Sequence, residues 1–374
     1  MSSAISPRGG FRRRHSPSIS ACWRRGIDHL SSARGNAASP VNPGAMAKEV
    51  LVIKLSALGD FVLALGAMRA VREFHPSARI TLLTTPPYEE FAKTCPYFDV
   101  VETDGRPEGL KATNALLSRL RKARYDIIYD FQTSGRTRNY YSVLSRSGKA
   151  PLWSGHHEKA AYFHDNPARA TMHSIDRLAE QLEVAGLAPQ GRWLGKGGPF
   201  PDLGWVRPKL GDPPRLSPAY FGIQKPYMLL IPGASEHREA KRWPIENYAE
   251  LAKRIADLGI TPVVIGGKAE SAIAQELMKR EPRVKSLVTR TDLFQIVTLA
   301  ETAVFVVGND TGPMHMATIA GAPGIALFAL TESNPDHSAP RGPKTVIVNS
   351  APTLKELSVD DVWQSVRALG IAPG

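Results

Sequence analysis

Cysteine is scarce in this sequence, and long apolar runs are missing. Only two cysteines, Cys22 and Cys95, occur among its 374 residues. This number excludes a disulfide framework and a cysteine-based metal site, and it fits a reducing, cytoplasmic setting. No apolar run approaches the roughly 18 residues of a membrane-spanning helix. The sequence therefore predicts a globular protein, long enough for two domains.

Several familiar ligand-binding motifs are also missing. The sequence has no G-x-G-x-x-G fingerprint, no G-x-x-x-x-G-K-[ST] phosphate loop and no H-E-x-x-H zinc motif. No Asp-x-Asp pair occurs, which removes the usual bridge between a divalent metal and a nucleotide diphosphate. His156 and His157 are adjacent, so they would point apart on a strand and share a metal poorly. The sequence thus predicts neither a metal site nor a cofactor.

Positive charge is in excess but unevenly distributed. The formal net charge is +12, and residues 1–45 contribute +6 of it, from seven Arg and one acidic residue, Asp28. We expect residues 1–45 to be a disordered basic extension, or a mis-assigned start before a true start at Met46. Net charge alone fits nucleic acid, anionic lipid or a phosphorylated substrate. Nucleic acid is the weakest option, because much of the excess lies in this extension and no aromatic-basic module is present.

The rest of the chain alternates twice between strand and helix patterns. In residues 46–190, strand patterns occur at 49–54, 78–83, 98–101 and 125–131, with helical patterns at 61–74 and 110–124. A second alternation fills residues 227–350, with strand patterns at 227–231, 261–265, 303–307, 324–328 and 346–348. Such alternation predicts an α/β protein with two parallel sheets, each covered on both faces.

Two further segments complete this division. Fifteen of the forty residues from Leu187 to Pro226 are Pro or Gly, which predicts a linker at residues 191–226. The last segment, residues 351–374, has a helical pattern from Val359 to Leu369. Because ligands bind beyond the carboxyl ends of strands in such folds, two facing domains would create a cleft.

The loop after the first strand carries a candidate acid–base residue. Asp60 follows Ser56-Ala57-Leu58-Gly59 and would lie at a helix start, where the helix dipole favours an ionised carboxylate. An ionised carboxylate that faces a cleft can accept a proton from a hydroxyl nucleophile. The alternative is a carboxylate that only caps the helix.

Two loops of the second half have groups suited to a nucleotide. Ser235 and Lys241 lie between a strand and a helix and could hold a phosphate, although the same charge run could be a solvated loop. Glu270 follows the paired glycines Gly266 and Gly267 and could accept hydrogen bonds from ribose hydroxyls. The alternative for Glu270 is an ordinary surface residue in the first turn of a helix.

The stretch from Val304 to Ala317 predicts a strand, a polar turn and a helix with Pro313 at its first position. Free N–H groups and the dipole at such a helix start form a natural seat for phosphate. In the plainer alternative, Asp310 or Thr311 merely caps the helix.

Taken together, these loops resemble glycosyltransferase family 9, the lipopolysaccharide heptosyltransferase group. The matching pieces are Val52–Asp60, Pro232–Ser235 with Lys241–Pro244, and Gly308–His315, and their order holds from about residue 49 to 330. The resemblance implies a GT-B fold, in which two Rossmann-like domains face a central cleft. In such folds the terminal helix usually packs back towards the first domain.

The resemblance also implies an activity. Family members transfer a sugar, typically a heptose from its ADP-activated form, to the lipopolysaccharide core, with inversion and without a metal. By position, Asp60 is similar to the catalytic base. The donor and nucleotide site would comprise Ser235, Lys241, Glu270, Asp310, Thr311, Gly312, Pro313 and His315.

The acceptor side is carried by basic residues of the first domain. Gln132, Arg136, Arg138, His173 and Arg177 could hold acidic groups of a core sugar, or the same face could lean on anionic membrane lipid. The expected partners are a nucleotide-sugar donor and a lipopolysaccharide core or other glycan acceptor, with peripheral contact at the cytoplasmic face of the inner membrane. The alternatives are a GT-B nucleotide-sugar epimerase and a non-catalytic nucleotide-sugar-binding envelope protein.

Overall fold

The computed structural model describes residues 47–146, 150–187, 198–234 and 238–373. These residues belong to one compact unit, Pro43–Gly374. The predicted extension at residues 1–45 and the predicted site residue Ser235 lie outside the described residues.

The first lobe, residues 47–187, is built on a parallel sheet with the strand order β3-β2-β1-β4-β5-β6. Its strands are β1 (Glu49–Ile53), β2 (Arg79–Leu83), β3 (Val100–Glu102), β4 (Ile127–Asp130), β5 (Leu152–Gly155) and β6 (Tyr162–Phe163). Its helices are α1 (Leu58–Leu63), α2 (Leu65–Phe74), α3 (Glu89–Thr94), α4 (Gly109–Ala123), α5 (Gly135–Leu144) and α6 (Ser174–Val184).

The second lobe, residues 227–373, repeats this arrangement, with the strand order β12-β11-β10-β7-β8-β9 and parallel pairing. After α7 (Val206–Leu210) of the connecting segment, its strands are β7 (Tyr227–Ile231), β8 (Thr261–Val264), β9 (Lys285–Ser286), β10 (Val306–Asn309), β11 (Gly324–Ala329) and β12 (Val346–Ala351). Its helices are α8 (Ile245–Asp257), α9 (Ser271–Arg280), α10 (Leu293–Thr302), α11 (Gly312–Ile319), α12 (Pro335–Ser338) and α13 (Val359–Ala368). The predicted α/β class with two Rossmann-like parallel sheets is confirmed.

Central strands of both sheets are apolar on both faces, as a sheet covered by helices requires. Val50 to Ile53 of β1 and Tyr227 to Leu230 of β7 are fully buried. In each sheet the strand order reverses beside the first strand, between β1 and β4 and between β7 and β10. Loops diverge at such a point and leave a crevice at the carboxyl ends of the strands. The fold therefore favours ligand sites after β1, β4, β7 and β10.

The connecting segment, residues 198–226 as described, is packed rather than extended. Trp205 packs against Phe91 of the first lobe with ring centroids 5.0 Å apart, and the ring centroid of Phe91 lies 5.3 Å from that of Phe294 of the second lobe. These rings belong to one apolar cluster that includes strands of both sheets. The high Pro and Gly content predicted a linker, but the segment's buried aromatic residue makes it part of the core.

The last helix corrects an expectation from the family resemblance. Val362 and Val366 of α13 are buried in an apolar cluster made by the second lobe. Arg254 of α8 pairs with Asp360 at 2.6 Å and lies over the ring of Trp363. The helix therefore packs on the second lobe and not back on the first.

Candidate active site

The two helix starts nearest the crevices meet across the lobes. Helix α1 follows β1, and α11 follows β10, and the pair is in direct contact. A Cβ added at Gly312 would lie 2.6 Å from Cβ of Leu58, and one added at Gly59 would lie 2.9 Å from Cδ2 of His315. Only glycine permits this approach, so the contact brings Asp60 beside the turn that starts α11.

This contact predicts the effect of a single methyl group. Gly312→Ala should lower the free energy of unfolding by about 1–3 kcal/mol, because Cβ of Leu58 has no room to move aside. Gly135→Ala is the matched control, since a Cβ there meets no atom within 4 Å. Thermal unfolding without ligand measures both variants. Equal stabilities for the two would show that the lobes do not need this contact.

The turn after β10 holds a buried group of charges. Nζ of Lys241 lies 2.7 Å from Oδ2 of Asp310, and Nε2 of His315 lies 3.5 Å from Oδ1 of the same carboxylate. The three side chains are at most 10 % exposed. Burial alone would raise the pKa of Asp310, but His315 and Lys241 outweigh it and lower that pKa to about 2. Asp310 therefore remains a carboxylate at any physiological pH.

A second polar group anchors the loop that follows β7 onto strand β10. The side-chain amide of Asn309 donates to the carbonyl oxygens of Pro232 and Gly233, at 2.8 and 3.2 Å. Its oxygen accepts from the hydroxyl of Tyr248 at 2.9 Å. Asn309 and Tyr248 are fully buried. Sequence reasoning assigned neither residue to the site, and the only available signal was the position of Asn309 directly before Asp310.

Glu270 lies over the glycines of two neighbouring loops. Its Oε2 accepts from the N–H of Gly267 at 2.7 Å. A Cβ at Gly266 would meet the Glu270 side chain at 2.8 Å, and one at Gly233 would meet Oε1 at 3.0 Å. The structure thus brings Glu270 to the loop that leads to Lys241.

The start of α11 differs from the sequence expectation by one residue. The helix begins at Gly312, Pro313 is its second residue and Thr311 is its N-cap. No side chain caps this helix, because the hydroxyl of Thr311 donates instead to the carbonyl of Asn309 at 3.2 Å. Nδ1 of His315 is buried without a hydrogen-bond partner in the described part of the chain. The helix start therefore keeps N–H groups that a ligand can engage.

Asp60 is the third residue of α1, and its Oδ2 accepts from the N–H of Ala57 at 3.3 Å. Two cations of the first lobe, the buried Lys54 and the half-buried Arg177, are in charge interaction with it. Burial lowers the pKa of Lys54, and the Asp60 charge partly opposes that shift. Burial likewise lowers the pKa of Arg177, again against the Asp60 charge. Asp60 thus has cationic neighbours on its own lobe and the α11 turn on the other.

Residues predicted for the acceptor side are dispersed in the structure. Oε1 of Gln132 accepts from the N–H groups of Leu55 and Ser56 at 2.9 and 3.2 Å, so it shapes the loop that precedes Asp60. Arg136 and Arg138 are exposed on α5, and Arg136 donates to the carbonyl oxygen of Pro107. The structure thus brings Gln132 to the Asp60 loop by direct hydrogen bonds and Arg177 into charge interaction with Asp60.

His173 connects the lobes. Its Nδ1 accepts from the N–H of Ile175 and its Nε2 lies 3.0 Å from the carbonyl oxygen of Ala339. Burial lowers the pKa of His173 to about 4, so the ring is neutral near pH 7. Three residues further on, Asp176 pairs with both terminal nitrogens of Arg341 at 2.7 and 2.9 Å. Both ring nitrogens of His173 are hydrogen-bonded to backbone groups, so the residue has a structural role at the contact between the lobes.

Within the described ranges, no group of three or more His, Cys, Asp or Glu side chains is arranged to hold a metal ion. In the same ranges, no helix has the length and apolarity needed to cross a membrane.

Comparison with known families decides the class. The family model described as glycosyltransferase family 9 (heptosyltransferase) matches residues 113–365, more than half of the chain. The chain belongs to glycosyltransferase family 9. It is therefore an enzyme of sugar transfer, and the epimerase and non-catalytic alternatives are not favoured.

Individual relatives agree with this membership. The lipopolysaccharide core heptosyltransferase OpsX of Haemophilus influenzae is 24% identical over 305 residues, which cover 78% of this chain and 82% of the relative. The solved structure of Escherichia coli ADP-heptose lps heptosyltransferase II has a TM-score of 0.67 at 23% identity, covering 86% of this chain and 98% of that one. The family 9 glycosyl transferase of Veillonella parvula has a TM-score of 0.69 at 19% identity, covering 86% and 97%. This chain therefore has the same GT-B fold as these two solved structures.

Proposed function

We propose that this family 9 enzyme transfers a heptose from an ADP-activated donor to the lipopolysaccharide core, with inversion at the anomeric carbon. The family description and the heptosyltransferase relatives support the class of sugar. The name of the Escherichia coli relative supports ADP as the leaving group. The observation that carries the proposal is the contact of α1 with α11, which sets Asp60 beside a helix start suited to a diphosphate.

In this proposal the second lobe binds the donor. The N–H groups of Thr311 and Gly312, at the helix start that contains Pro313, receive the diphosphate, and Lys241 adds a positive charge. An ammonium group has three N–H donors, so Lys241 can remain on Asp310 and still reach a phosphate. Asp310 contacts the donor sugar, and Glu270 accepts from the ribose hydroxyls. Ser235 keeps its sequence-based assignment to the phosphates.

His315 lies between the donor site and the helix that carries Asp60. Its ring lies against Gly59 of α1 and beside Asp310. Its Nδ1, buried and without a partner in the described residues, can interact with the donor phosphates or sugar. His315 therefore extends the donor site to the edge of the Asp60 helix.

Asp60 serves as the base that takes the proton from the acceptor hydroxyl as that oxygen attacks the anomeric carbon. Negative charge then develops on the departing ADP, where Lys241 and the α11 dipole stabilise it. We propose that these groups take the place of a metal ion. Transfer measured with and without a strong chelator should give equal rates.

The proposed acceptor is anionic, and Arg177 is the basic residue that supports this best, since it is half-buried and in charge interaction with Asp60. Gln132 contributes through the loop that it holds, and Arg136 and Arg138 extend the basic surface outward on α5. The proposed site of action is the cytoplasmic face of the inner membrane, where a lipid-linked core would be presented.

The decisive experiment is a nucleotide and product test. The midpoint temperature of thermal unfolding should rise with ADP and with an ADP-heptose, and much less with UDP or GDP. The reason is that a ligand that binds only the native state stabilises it. Product analysis with a core acceptor should then show an inverted glycosidic linkage. Stabilisation by UDP alone, or consumption of the nucleotide sugar without acceptor, would contradict the proposal.

A further inference from the structure

A groove opens between α4 and α5, on the outer face of the first lobe. Arg121 of α4 donates to the carbonyl oxygen of Val143 of α5 at 3.4 Å and joins the helices at one end. The groove has a volume of about 500 Å³ and is lined by Thr113, Leu117, Arg136, Asn139, Tyr140 and Val143. Its lining combines the apolar side chains of Leu117 and Val143 and the ring of Tyr140 with the polar side chains of Thr113, Arg136 and Asn139.

One helical turn before Thr113 of this groove, α4 carries an unusually exposed leucine. Leu110, in the first turn of α4, is 84% exposed, more than any other large apolar side chain in the described ranges. Exposure of one leucine is common, but here the residue lies on the helix that forms one wall of the groove. Removing Leu110 and the apolar side chains of the groove from water is energetically favourable.

The charges on the two helices have one sign. Helices α4 and α5 carry six Lys or Arg residues and no Asp or Glu, namely Lys111, Arg119, Arg121, Lys122, Arg136 and Arg138. Arg119 pairs with Glu102 and Asp104. The other five make no ion pair with a carboxylate of the described residues, and all five are exposed. Five exposed cations on the two groove helices therefore have no carboxylate partner among the described residues.

The groove is connected to the acceptor side of the candidate active site. The hydroxyl of Tyr140 donates to the carbonyl oxygen of Gly105 at 3.0 Å. Arg136 donates to the carbonyl of Pro107 at 3.2 Å, and Arg106 of the same loop contacts the hydroxyl of Ser56. Ser56 lies in the loop that leads into the Asp60 helix.

We propose that the groove between α4 and α5, with Leu110 and its surrounding cations, docks the enzyme on an anionic lipid bilayer. An apolar insertion framed by Lys and Arg matches the acyl region and the phosphate headgroups of such a surface. The inference rests in part on the proposed function, because a lipid-linked acceptor must keep its acyl chains in the bilayer while its sugar reaches Asp60. A nucleic acid would match the cations but not Leu110 or the apolar groove.

Vesicle binding of the full-length protein tests this surface. The probes are vesicles of phosphatidylcholine with and without phosphatidylglycerol, separated by sedimentation. Leu110→Glu should weaken binding to the anionic vesicles about tenfold. The pair Lys111→Glu with Lys122→Glu should weaken it at least twentyfold, since each cation near an anionic surface contributes about fivefold. Glutamate at position 110 suits the start of a helix, so the fold should be retained.

Matched variants of the second lobe serve as controls. Leu258→Glu replaces a leucine that is 38% exposed, and Lys253→Glu with Lys279→Glu makes the same change of charge on exposed helices. Both controls should bind vesicles like the unmodified protein. If Leu110→Glu and the α4 charge pair also bind unchanged, the proposal is wrong, and another part of the chain is the membrane-binding element. Equal weakening of binding to single-stranded RNA and to vesicles would overturn it as well, in favour of a general polyanion site.

Transfer assays separate this inference from the proposed function. With a lipid-free acceptor sugar, Leu110→Glu should keep the unmodified rate, whereas with an acceptor embedded in vesicles its rate should fall about tenfold. Equal losses on both acceptors would assign Leu110 to catalysis and refute docking. Vesicle binding needs no sugar donor, so a failure of heptose transfer together with normal responses in the vesicle assay would refute only the proposed reaction.

Discussion

An Asp60→Asn variant should lose transfer activity by about a thousandfold while it binds ADP normally. A positioned general base contributes on the order of 10²- to 10⁴-fold, and asparagine cannot accept the proton. Asparagine has nearly the same shape, and its oxygen can still accept from the N–H of Ala57. ADP binding should survive because Lys241, Glu270 and the start of α11 belong to the other lobe. Steady-state transfer kinetics and calorimetric titration with ADP measure the two quantities.

A matched control for this variant is Asp165→Asn. Asp165 is an exposed aspartate of the first lobe, so its replacement changes the net charge equally and should leave the transfer rate intact. Near-full transfer by Asp60→Asn would show that another group deprotonates the acceptor. Loss of ADP binding together with transfer would instead show that Asp60 maintains the contact between the lobes.

The second large effect concerns Lys241. Lys241→Met should weaken binding of ADP and of the donor by at least a hundredfold, because it removes a cation from the diphosphate site and deprives the buried Asp310 carboxylate of its ammonium partner. Breaking a buried ion pair from one side costs about 3–5 kcal/mol of stability. The midpoint temperature of thermal unfolding and the ADP affinity measured by titration should therefore both fall. Lys268→Met, at an exposed lysine of the neighbouring loop, should change neither.

A double variant separates the two causes. Lys241→Met with Asp310→Asn removes both charges of the pair, so much of the lost stability should return. ADP binding should stay weak, because the cation that faces the diphosphate is still missing. An ADP affinity restored to that of the unmodified enzyme would show that Lys241 acts only by neutralising Asp310. Unchanged affinity in the single variant would remove its phosphate role altogether.

Much of the fold could be predicted from sequence because its central strands are continuous apolar runs followed by polar loops. The elements around β1, β4, β7 and β10 follow this pattern and were located to within a few residues. The stretch from Gln132 to Phe163 gave no clear signal, whereas Ile175, Leu178 and Leu182 of α6 have a helical spacing that the sequence analysis did not use. Strand β6 has only two residues, and α5 has one tyrosine-rich face without a leucine stripe, so periodicity could not reveal either of them.

The candidate site was accessible to sequence reasoning where a loop follows a strand, as at Asp60 and Asp310. It was not accessible where a side chain acts from elsewhere in the chain. Tyr248 lies in the first turn of α8 and reaches Asn309 only through the packing of that helix on the sheet. His173 is predicted as an acceptor contact from its charge and position, but its bond to Ala339 depends on how the lobes meet. Long-range pairings of this kind have no local sequence pattern.

The packed connector limits how this enzyme can be recombined with its relatives. Trp205 of the connector rests on the first lobe, whereas Arg215 pairs with Asp292 and accepts at its carbonyl from Gln295, both at the start of α10. A chimera that joins a foreign nucleotide-binding half at residue 226 would set the connector against an α10 that did not evolve with it. A viable exchange of donor specificity would keep the connector and α10 from the same parent. Donor preference in this enzyme therefore cannot be exchanged by replacing the second lobe alone. The connector and α10 have to be exchanged together.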